Sequence, residues 1–107
     1  MKKQEQLSIN RKIEIDIGKY YDVFYNTPTD KMPPKIRLNH CQAWTQDFNC
    51  VTVLWSYNTA VAIYDKSNDT LYDVLRAVYG YTATSAQHIA KFRHLCNPAN
   101  VLTYRGV

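Results

Sequence analysis

The stretch YGYTATSAQHIAKF, residues 79–92, decides the fold of this chain more clearly than any other segment. It passes from a tyrosine-rich run through small residues into the start of a helix. Thr84 and Gln87 have the spacing of a capping box, in which the threonine accepts a backbone hydrogen bond and the glutamine reaches back. The pattern therefore predicts a helix over residues 84–96 that begins at a side-chain cap.

An apolar stripe follows this cap and gives the helix a face to bury. Ile89, Phe92 and Cys96 recur at helical spacing. Asn97 and Pro98 come next, and proline is common just beyond the end of a helix. We expect the apolar face to pack on a sheet, where its predicted partners are Val51, Val53, Trp55 and Ile63.

Alternating isoleucines near the amino end predict a strand. Ile13, Ile15 and Ile17 are separated by acidic residues, which is typical of a half-buried strand. Residues 20–25 (YYDVFY) are rich in β-forming side chains and are predicted to return as the second arm of a hairpin. The polar residues 1–10 before them are expected to be flexible.

Two further strands are predicted in the middle of the chain, over residues 50–57 (CVTVLWSY) and 60–65 (AVAIYD). Both runs are β-branched or aromatic, and turn residues bound them. Residues 71–79 fit either a strand or a helical stripe, and we favour the strand. The tail from residue 99 is expected to add an edge strand.

Together these elements predict a single α+β domain over residues 1–107. An antiparallel sheet of four to six strands carries one main helix packed across a face. Residues 26–39 hold three prolines, which remove backbone donors, so this segment is predicted to be a loop. It is also a candidate contact surface, because loops often carry function.

Composition and charge restrict the class of protein. The net charge of +4 and the pI near 9.0 permit an acidic partner, but lysine and arginine are scattered rather than gathered in one stripe. There is no apolar signal region, and no segment approaches the ~20 apolar residues that span a bilayer. Three cysteines do not suggest a secreted disulfide scaffold. We expect a reduced, cytoplasmic protein that does not enter a membrane.

Cysteine and histidine side chains offer a metal-binding hypothesis, because thiolate and imidazole together suit tetrahedral zinc. The chain has no Cys-x-x-Cys pair, and Cys96 falls on the apolar stripe. Ordinary cysteines are therefore favoured, and a structural zinc is the alternative. The candidate ligands for that zinc are Cys41, Cys50, His94 and Cys96.

Nucleophilic catalysis is not predicted. Ser85 with His88, or Cys96 with His94, would set a nucleophile beside a base, yet neither pair has the strained elbow or glycine-rich turn of such sites. The chain has three glycines and no phosphate-binding loop. We therefore expect a protein that is not an enzyme.

Nine tyrosines and two tryptophans make the composition unusual. The favoured interpretation is that they are buried as core residues and cross-strand pairs. Exposed on one face beside basic residues, they could instead stack on the bases of a single nucleic-acid strand or serve a protein interface. The candidate partner-binding residues are Tyr79, Tyr81, His88, Lys91 and Arg93.

The runs SYNTAVAIYD (residues 56–65) and TLYDVLRAVYGYTATSAQHIAKF (residues 70–92) resemble a family of small proteins from bacteriophages and their Gram-positive hosts, a domain of unknown function. The family pattern is a SYNT strand, a hairpin and a YSxTTSxHxxxF-type turn into a helix. Ala83 stands where a hydroxyl residue is more usual. The matching positions are Ser56, Tyr57, Asn58, Thr59, Tyr79, Tyr81, Thr82, Thr84, Ser85, His88 and Phe92.

The resemblance implies a phage origin and a core of β-hairpin and helix, and it implies no activity. By analogy, we expect a non-enzymatic binder that inhibits a host defence protein. Its most concrete form is an anti-CRISPR-type inhibitor that docks on a Cas effector and blocks DNA loading. The alternative is a nucleic-acid-binding phage accessory protein. The inhibitor predicts an apolar or aromatic patch on the side of the loop of residues 26–39, whereas the alternative predicts Lys91, Arg93 and the strand tyrosines on one face.

Overall fold

A sheet of six strands with a long helix on each face forms the body of the protein. The structure is a computed structural model that describes residues 3–78 and 82–106. It confirms the predicted α+β class. The elements in chain order are α1 (Lys3–Asn26), a 3₁₀ turn (Thr29–Lys31), β1 (Lys35–Arg37), β2 (Ala43–Asp47), β3 (Val51–Ser56), β4 (Thr59–Asp65), β5 (Thr70–Asp73), α2 (Leu75–Val78), α3 (Ala83–Cys96) and β6 (Asn100–Thr103).

The strands follow one another across the sheet in chain order, from β1 at one edge to β6 at the other. Neighbouring strands are antiparallel except for the last pair, because β6 runs parallel to β5. A parallel pair needs a crossover connection, which the chain between β5 and β6 supplies through α3. The strands predicted over residues 50–57 and 60–65 are confirmed as β3 and β4, and the tail is confirmed as an edge strand.

The amino-terminal strands predicted over residues 13–17 and 20–25 are wrong, because both segments belong to α1. Ile13 is fully buried while Ile15 is 60% exposed, so the two isoleucines point to different sides of a helix. Apolar residues recur every three or four positions along α1, and this longer period decides the structure. The buried or half-buried members of that stripe are Ile9, Ile13, Ile17, Tyr20 and Phe24.

The start of α1 is tied to the end of the chain. Residues 3–10, which were expected to be flexible, form the first turns of the helix. Gln6 and Asn10 are buried there, and their side-chain amides donate to the backbone oxygens of Thr103 and Arg105 at 3.0 and 2.7 Å. A buried amide that finds backbone partners avoids the cost of desolvation, so these contacts anchor the polar end of the helix.

Two tyrosine–aspartate hydrogen bonds join α1 to the sheet. The Tyr20 hydroxyl on α1 donates to Asp65 at the end of β4, and the Tyr72 hydroxyl on β5 donates to Asp16 on α1 at 2.8 Å. Burial alone would raise the pKa of both carboxyls, but these and neighbouring hydrogen bonds outweigh it and lower the pKa of each. The ionised carboxylates therefore favour the docked position of α1.

The predicted helix over residues 84–96 is confirmed as α3, but its predicted cap is wrong. Thr82, in extended backbone, accepts a hydrogen bond from the backbone N–H of Ser85 at 3.2 Å, so the cap lies two residues before Thr84 and the helix begins at Ala83. Both threonines carry the hydroxyl that a cap requires, and the path of the chain into the helix selects the earlier one. At the other end, Asn97 adopts a left-handed conformation and closes the helix.

The predicted sheet partners of α3 lie on the opposite face of the sheet. Successive side chains of a strand point to opposite faces, so choosing the wrong alternate positions inverts the whole assignment. Val51, Val53, Trp55 and Ile63 pack around Ile13 of α1 instead. The residues that do pack with Ile89 and Phe92 of α3 include Leu54, Val61, Ala62, Leu71 and Leu75.

Two segments each hold more than one element. The sequence had left the first undecided between strand and helix, and it had missed the elements of the second. The described part of residues 71–79 holds the end of β5 and the short helix α2, and the Asp73 carboxylate accepts from the Leu75 N–H at 3.2 Å between them. The predicted loop over residues 26–39 contains the 3₁₀ turn and the exposed edge strand β1. β1 pairs with β2 and so brings this loop to the edge of the sheet.

Candidate functional site

Of the five predicted partner-binding residues, the three that the structure describes do not share one exposed surface. Tyr79 and Tyr81 lie outside the described residues. Lys91 and Arg93 are exposed on α3, and the Lys91 Nζ donates to the Cys41 Sγ at 2.8 Å, whereas His88 is buried against the sheet. Both tryptophans lie on the α1 side of the sheet, because Trp44 pairs directly with Trp55. The basic residues of α3 and the two tryptophans are thus on different sides of the sheet.

The predicted zinc ligands are also not brought together. Cys41 and Cys50 lie in the turns before β2 and β3, while His94 and Cys96 lie at the end of α3. Across residues 3–78 and 82–106, no group of three or more His, Cys, Asp or Glu side chains is placed to hold a metal ion. Burial raises the pKa of Cys96 to about 11, so this thiol is protonated at neutral pH and is a weak ligand.

An apolar depression opens between the second half of α1 and the sheet, and we call it the aromatic groove. It encloses about 90 Å³. Its walls are built by α1 and by the strands β3 and β4, which are far from α1 in sequence, so no local pattern could indicate it. The lining includes Tyr20, Tyr21, Phe24 and Tyr25 of α1 with Val53 and Trp55 of β3.

Trp55 lines this groove and is contacted both on its ring and at its polar tip. Its indole N–H donates to the Gln46 side chain at 3.1 Å, and its ring centroid lies 6.0 Å from that of Phe24. The Lys35 Nζ sits 3.9 Å from the centroid of the indole ring, within cation–π range. Because both the ring and its polar tip are occupied, the groove is formed before any partner arrives.

The aromatic groove lies beside the loop of residues 26–39 and is open to solvent. The Gln46 amide that accepts from Trp55 also donates to the Pro33 backbone oxygen at 2.8 Å, which joins the loop to the groove. Tyr25 lines the groove and is 78% exposed. An aromatic side chain this exposed at the rim of an apolar depression is the pattern of a contact surface.

Apart from the groove, a buried polar cluster joins the SYNT motif of residues 56–59 to Ser85 and His88 at the start of α3. The Ser56 Oγ at the end of β3 lies 2.8 Å from the His88 Nδ1 and 2.9 Å from the Ser85 Oγ, both on α3. All three residues are almost fully buried. Sequence reasoning paired His88 with Ser85 and missed Ser56, which is 32 positions away in the chain. The only sequence signal for Ser56 was its place in the SYNT motif.

Protonation of His88 is expected to destabilise the protein. Burial, with a smaller contribution from Lys91 on the same helix, lowers the pKa of His88 from its ordinary value of 6.5. A histidine whose pKa is lower in the folded state contributes stability that is fully present above the unfolded pKa and is lost as the pH falls below it. The ring of Tyr57 in the hairpin also lies against His88, with the two centroids 6.0 Å apart.

The midpoint of urea unfolding should therefore decrease as the pH falls below about 6.5. The variant His88→Asn keeps a polar group near the Nδ1 position but does not titrate, so it should lose less stability over the same interval. An equal loss in the variant and the parent would mean that His88 is not the group responsible.

Comparison with protein-family models, with curated proteins and with solved structures found no match to this chain. Among the described residues, no helix combines the length and the apolar character that crossing a membrane requires. The function must therefore be argued from the two sites themselves.

Proposed function

We propose that this chain docks on a protein partner through the aromatic groove, a binding role that requires no catalysis. The observation that carries the proposal is the groove itself, which is apolar, open to solvent and formed in advance around Trp55. It lies on the side of the loop of residues 26–39, where a protein-docking surface was expected. A pre-formed site costs less conformational entropy on binding than one that must be ordered.

The dimensions of the groove suit one side chain of a protein partner. A volume of about 90 Å³ is well below the ~300–1,000 Å³ typical of small-molecule sites. Hot spots of protein interfaces are enriched in tryptophan, tyrosine and arginine and pair with buried anchors of the partner. Tyr21, Tyr25 and Trp55 supply that chemistry here, and an apolar side chain of the partner would be the anchor.

The alternative, a nucleic-acid-binding accessory protein, has weaker support. Base stacking needs a free ring face, whereas the indole of Trp55 lies under the Lys35 ammonium and against Phe24. Lys91 and Arg93 lie on α3, across the sheet from the tryptophans. Of the aromatic side chains on the sheet, Trp44 suits a nucleic acid best, because its cross-strand neighbour is the basic Arg37.

In its more specific form the proposal is a phage-encoded inhibitor of a host defence protein, acting in the host cytoplasm. The family resemblance supports this form, and an anti-CRISPR-type protein that docks on a Cas effector and blocks DNA loading is its most concrete version. The net charge of +4 does not suit mimicry of DNA, which would require an acidic surface. Such an inhibitor would grip a protein face.

A capture experiment with matched variants tests the docking proposal. The tagged chain, Tyr25→Ala and Ile15→Ala are each incubated with infected and uninfected host lysate, with and without nuclease. Tyr25 and Ile15 are both exposed on α1, but only Tyr25 lines the groove. Truncation of a hot-spot tyrosine costs about 2 kcal/mol or more, which is roughly 30-fold in affinity.

We expect a protein that survives nuclease, binds the parent and Ile15→Ala equally, and is lost from Tyr25→Ala. Capture of nucleic acid alone, weakened by added salt, would favour the accessory protein instead. Equal capture by both variants would mean that the groove is not the docking surface. Metal analysis of the same purified sample tests the zinc hypothesis, and stoichiometric zinc would revive it.

A further inference from the structure

We propose that Ser56 is a nucleophilic hydroxyl, with His88 as its base, in a cleft that takes a short acyl group from an activated ester. This site is separate from the aromatic groove and goes beyond the proposed docking function, which requires no chemistry. Two observations carry it: a hydroxyl–imidazole contact and a cleft that Ser56 lines.

The contact has the geometry of a nucleophile and its base. The Ser56 Oγ lies 2.8 Å from the His88 Nδ1, within the distance at which a histidine takes a proton from an attacking serine. His88 is neutral in the resting protein at neutral pH, because burial lowers its pKa. The Ser85 Oγ, 2.9 Å from the Ser56 Oγ, is a positioning group that holds the hydroxyl in place.

A cleft adjoins the Ser56 side of this contact, and His88 is not part of its wall. It encloses about 230 Å³ between the β3–β4 hairpin and the start of α3, and Ser56 and Ser85 both lie on its wall. The volume is below the ~300 Å³ at which sites for drug-sized ligands begin, so the substrate would be small. Thr82 and Thr84 also line the cleft where α3 begins, and the positive end of a helix dipole favours the negative charge that develops on an ester carbonyl oxygen.

The residue after Ser56 is held in an unfavourable backbone conformation. Tyr57 has a φ of 54°, a left-handed value that bulky side chains rarely adopt, and its ring centroid lies 6.0 Å from that of His88. Tyr57 is the first residue of the two-residue turn between β3 and β4, and such hairpin turns require a positive φ at this position. The turn places Tyr57 among the residues that line the cleft.

The proposed step is an acyl transfer. The Ser56 Oγ attacks the ester carbonyl carbon while its proton passes to the His88 Nδ1. The carbon–oxygen bond to the leaving alcohol then breaks, and that alcohol leaves with the proton from His88. The acyl group remains on Ser56 as an ester until a water molecule, with His88 again as base, hydrolyses it. No oxidant, reductant or metal is needed to balance this sequence.

The test uses p-nitrophenyl acetate with the full chain. Release of p-nitrophenol is followed by absorbance, and the acetylated residue is identified by peptide mass spectrometry. Matched variants are Ser56→Ala, His88→Asn and Ser8→Ala, the last an exposed serine of α1 on the other face of the sheet. Circular dichroism and thermal unfolding verify that each variant is folded.

We expect an acetyl group on Ser56 in the parent and in Ser8→Ala, and about 100-fold slower acetylation of Ser56 in His88→Asn, the size of a general-base contribution. The rate at Ser56 should also fall as His88 becomes protonated at acidic pH. Acetylation confined to surface lysines and other serines of the parent, or an unchanged rate at Ser56 in His88→Asn, would overturn the proposal. The parent alone gives a decision if a variant fails to fold.

Discussion

Phe92→Ala is expected to lower the free energy of unfolding by about 3–5 kcal/mol, the cost of removing a phenylalanine side chain from a packed core. Phe92 is fully buried between α3 and the sheet, in the same cluster as Leu54 and Leu71. The protein interior cannot collapse fully around the missing ring, so a cavity remains in addition to the lost burial. Urea unfolding followed by tryptophan fluorescence measures the change.

The matched control for this substitution is Leu95→Ala on the same helix. Leu95 is 65% exposed, so its truncation should change the free energy of unfolding by about 0.5 kcal/mol or less. The difference between the two variants isolates the packed face of α3 from any general effect on helix propensity. Similar small losses at both positions would mean that α3 does not pack on the sheet as described.

Ile13→Ala and Ile15→Ala form the second large prediction, because they separate a helix from a strand. Ile13 is fully buried where α1 packs on the sheet, so Ile13→Ala should lower the free energy of unfolding by about 2–5 kcal/mol. Ile15 is exposed on the same helix, so Ile15→Ala should cost about 0.5 kcal/mol or less. In a strand these residues would share one face, and the two substitutions would be similarly costly. Equal losses in the free energy of unfolding would therefore contradict the helix.

The strands and the helix of the carboxyl-terminal half could be predicted because local chemistry and final structure agree there. β3 and β4 combine β-branched side chains with a short turn, and α3 combines a threonine cap with an apolar stripe and a closing Asn97. Each element is indicated by residues within a few positions of one another. Agreement of this kind between local preference and fold is what makes a segment readable from sequence.

α1 could not be predicted from the same kind of local pattern. The isoleucines at positions 13, 15 and 17 satisfy a two-residue period over a few positions, whereas the helical period appears only across the residues from Ile9 to Phe24. Helix stability in proteins comes mainly from tertiary packing of one face. Burial of Ile13 against β3, β4 and β5 therefore outweighs the β preference of the short segment.

Neither candidate site could be derived from sequence spacing alone. The contact between Ser56 and His88 depends on how the end of β3 meets the start of α3, and the aromatic groove depends on where α1 crosses the sheet. The tyrosine-rich composition indicated a binding surface but not its place. The nucleic-acid alternative placed Lys91 and Arg93 on one face with the strand tyrosines, whereas the two tryptophans lie on the α1 side of the sheet, away from these basic residues.

Photo-crosslinking from two positions tests directly whether the aromatic groove docks on a protein. A photoreactive benzoylphenylalanine replaces Tyr25 at the groove in one variant and Leu95 on the opposite side of the sheet in another, and both are irradiated in nuclease-treated host lysate. We expect one protein to be crosslinked from position 25 and not from position 95. Crosslinks to that protein from position 95 alone, or none from position 25 to any protein, would contradict it.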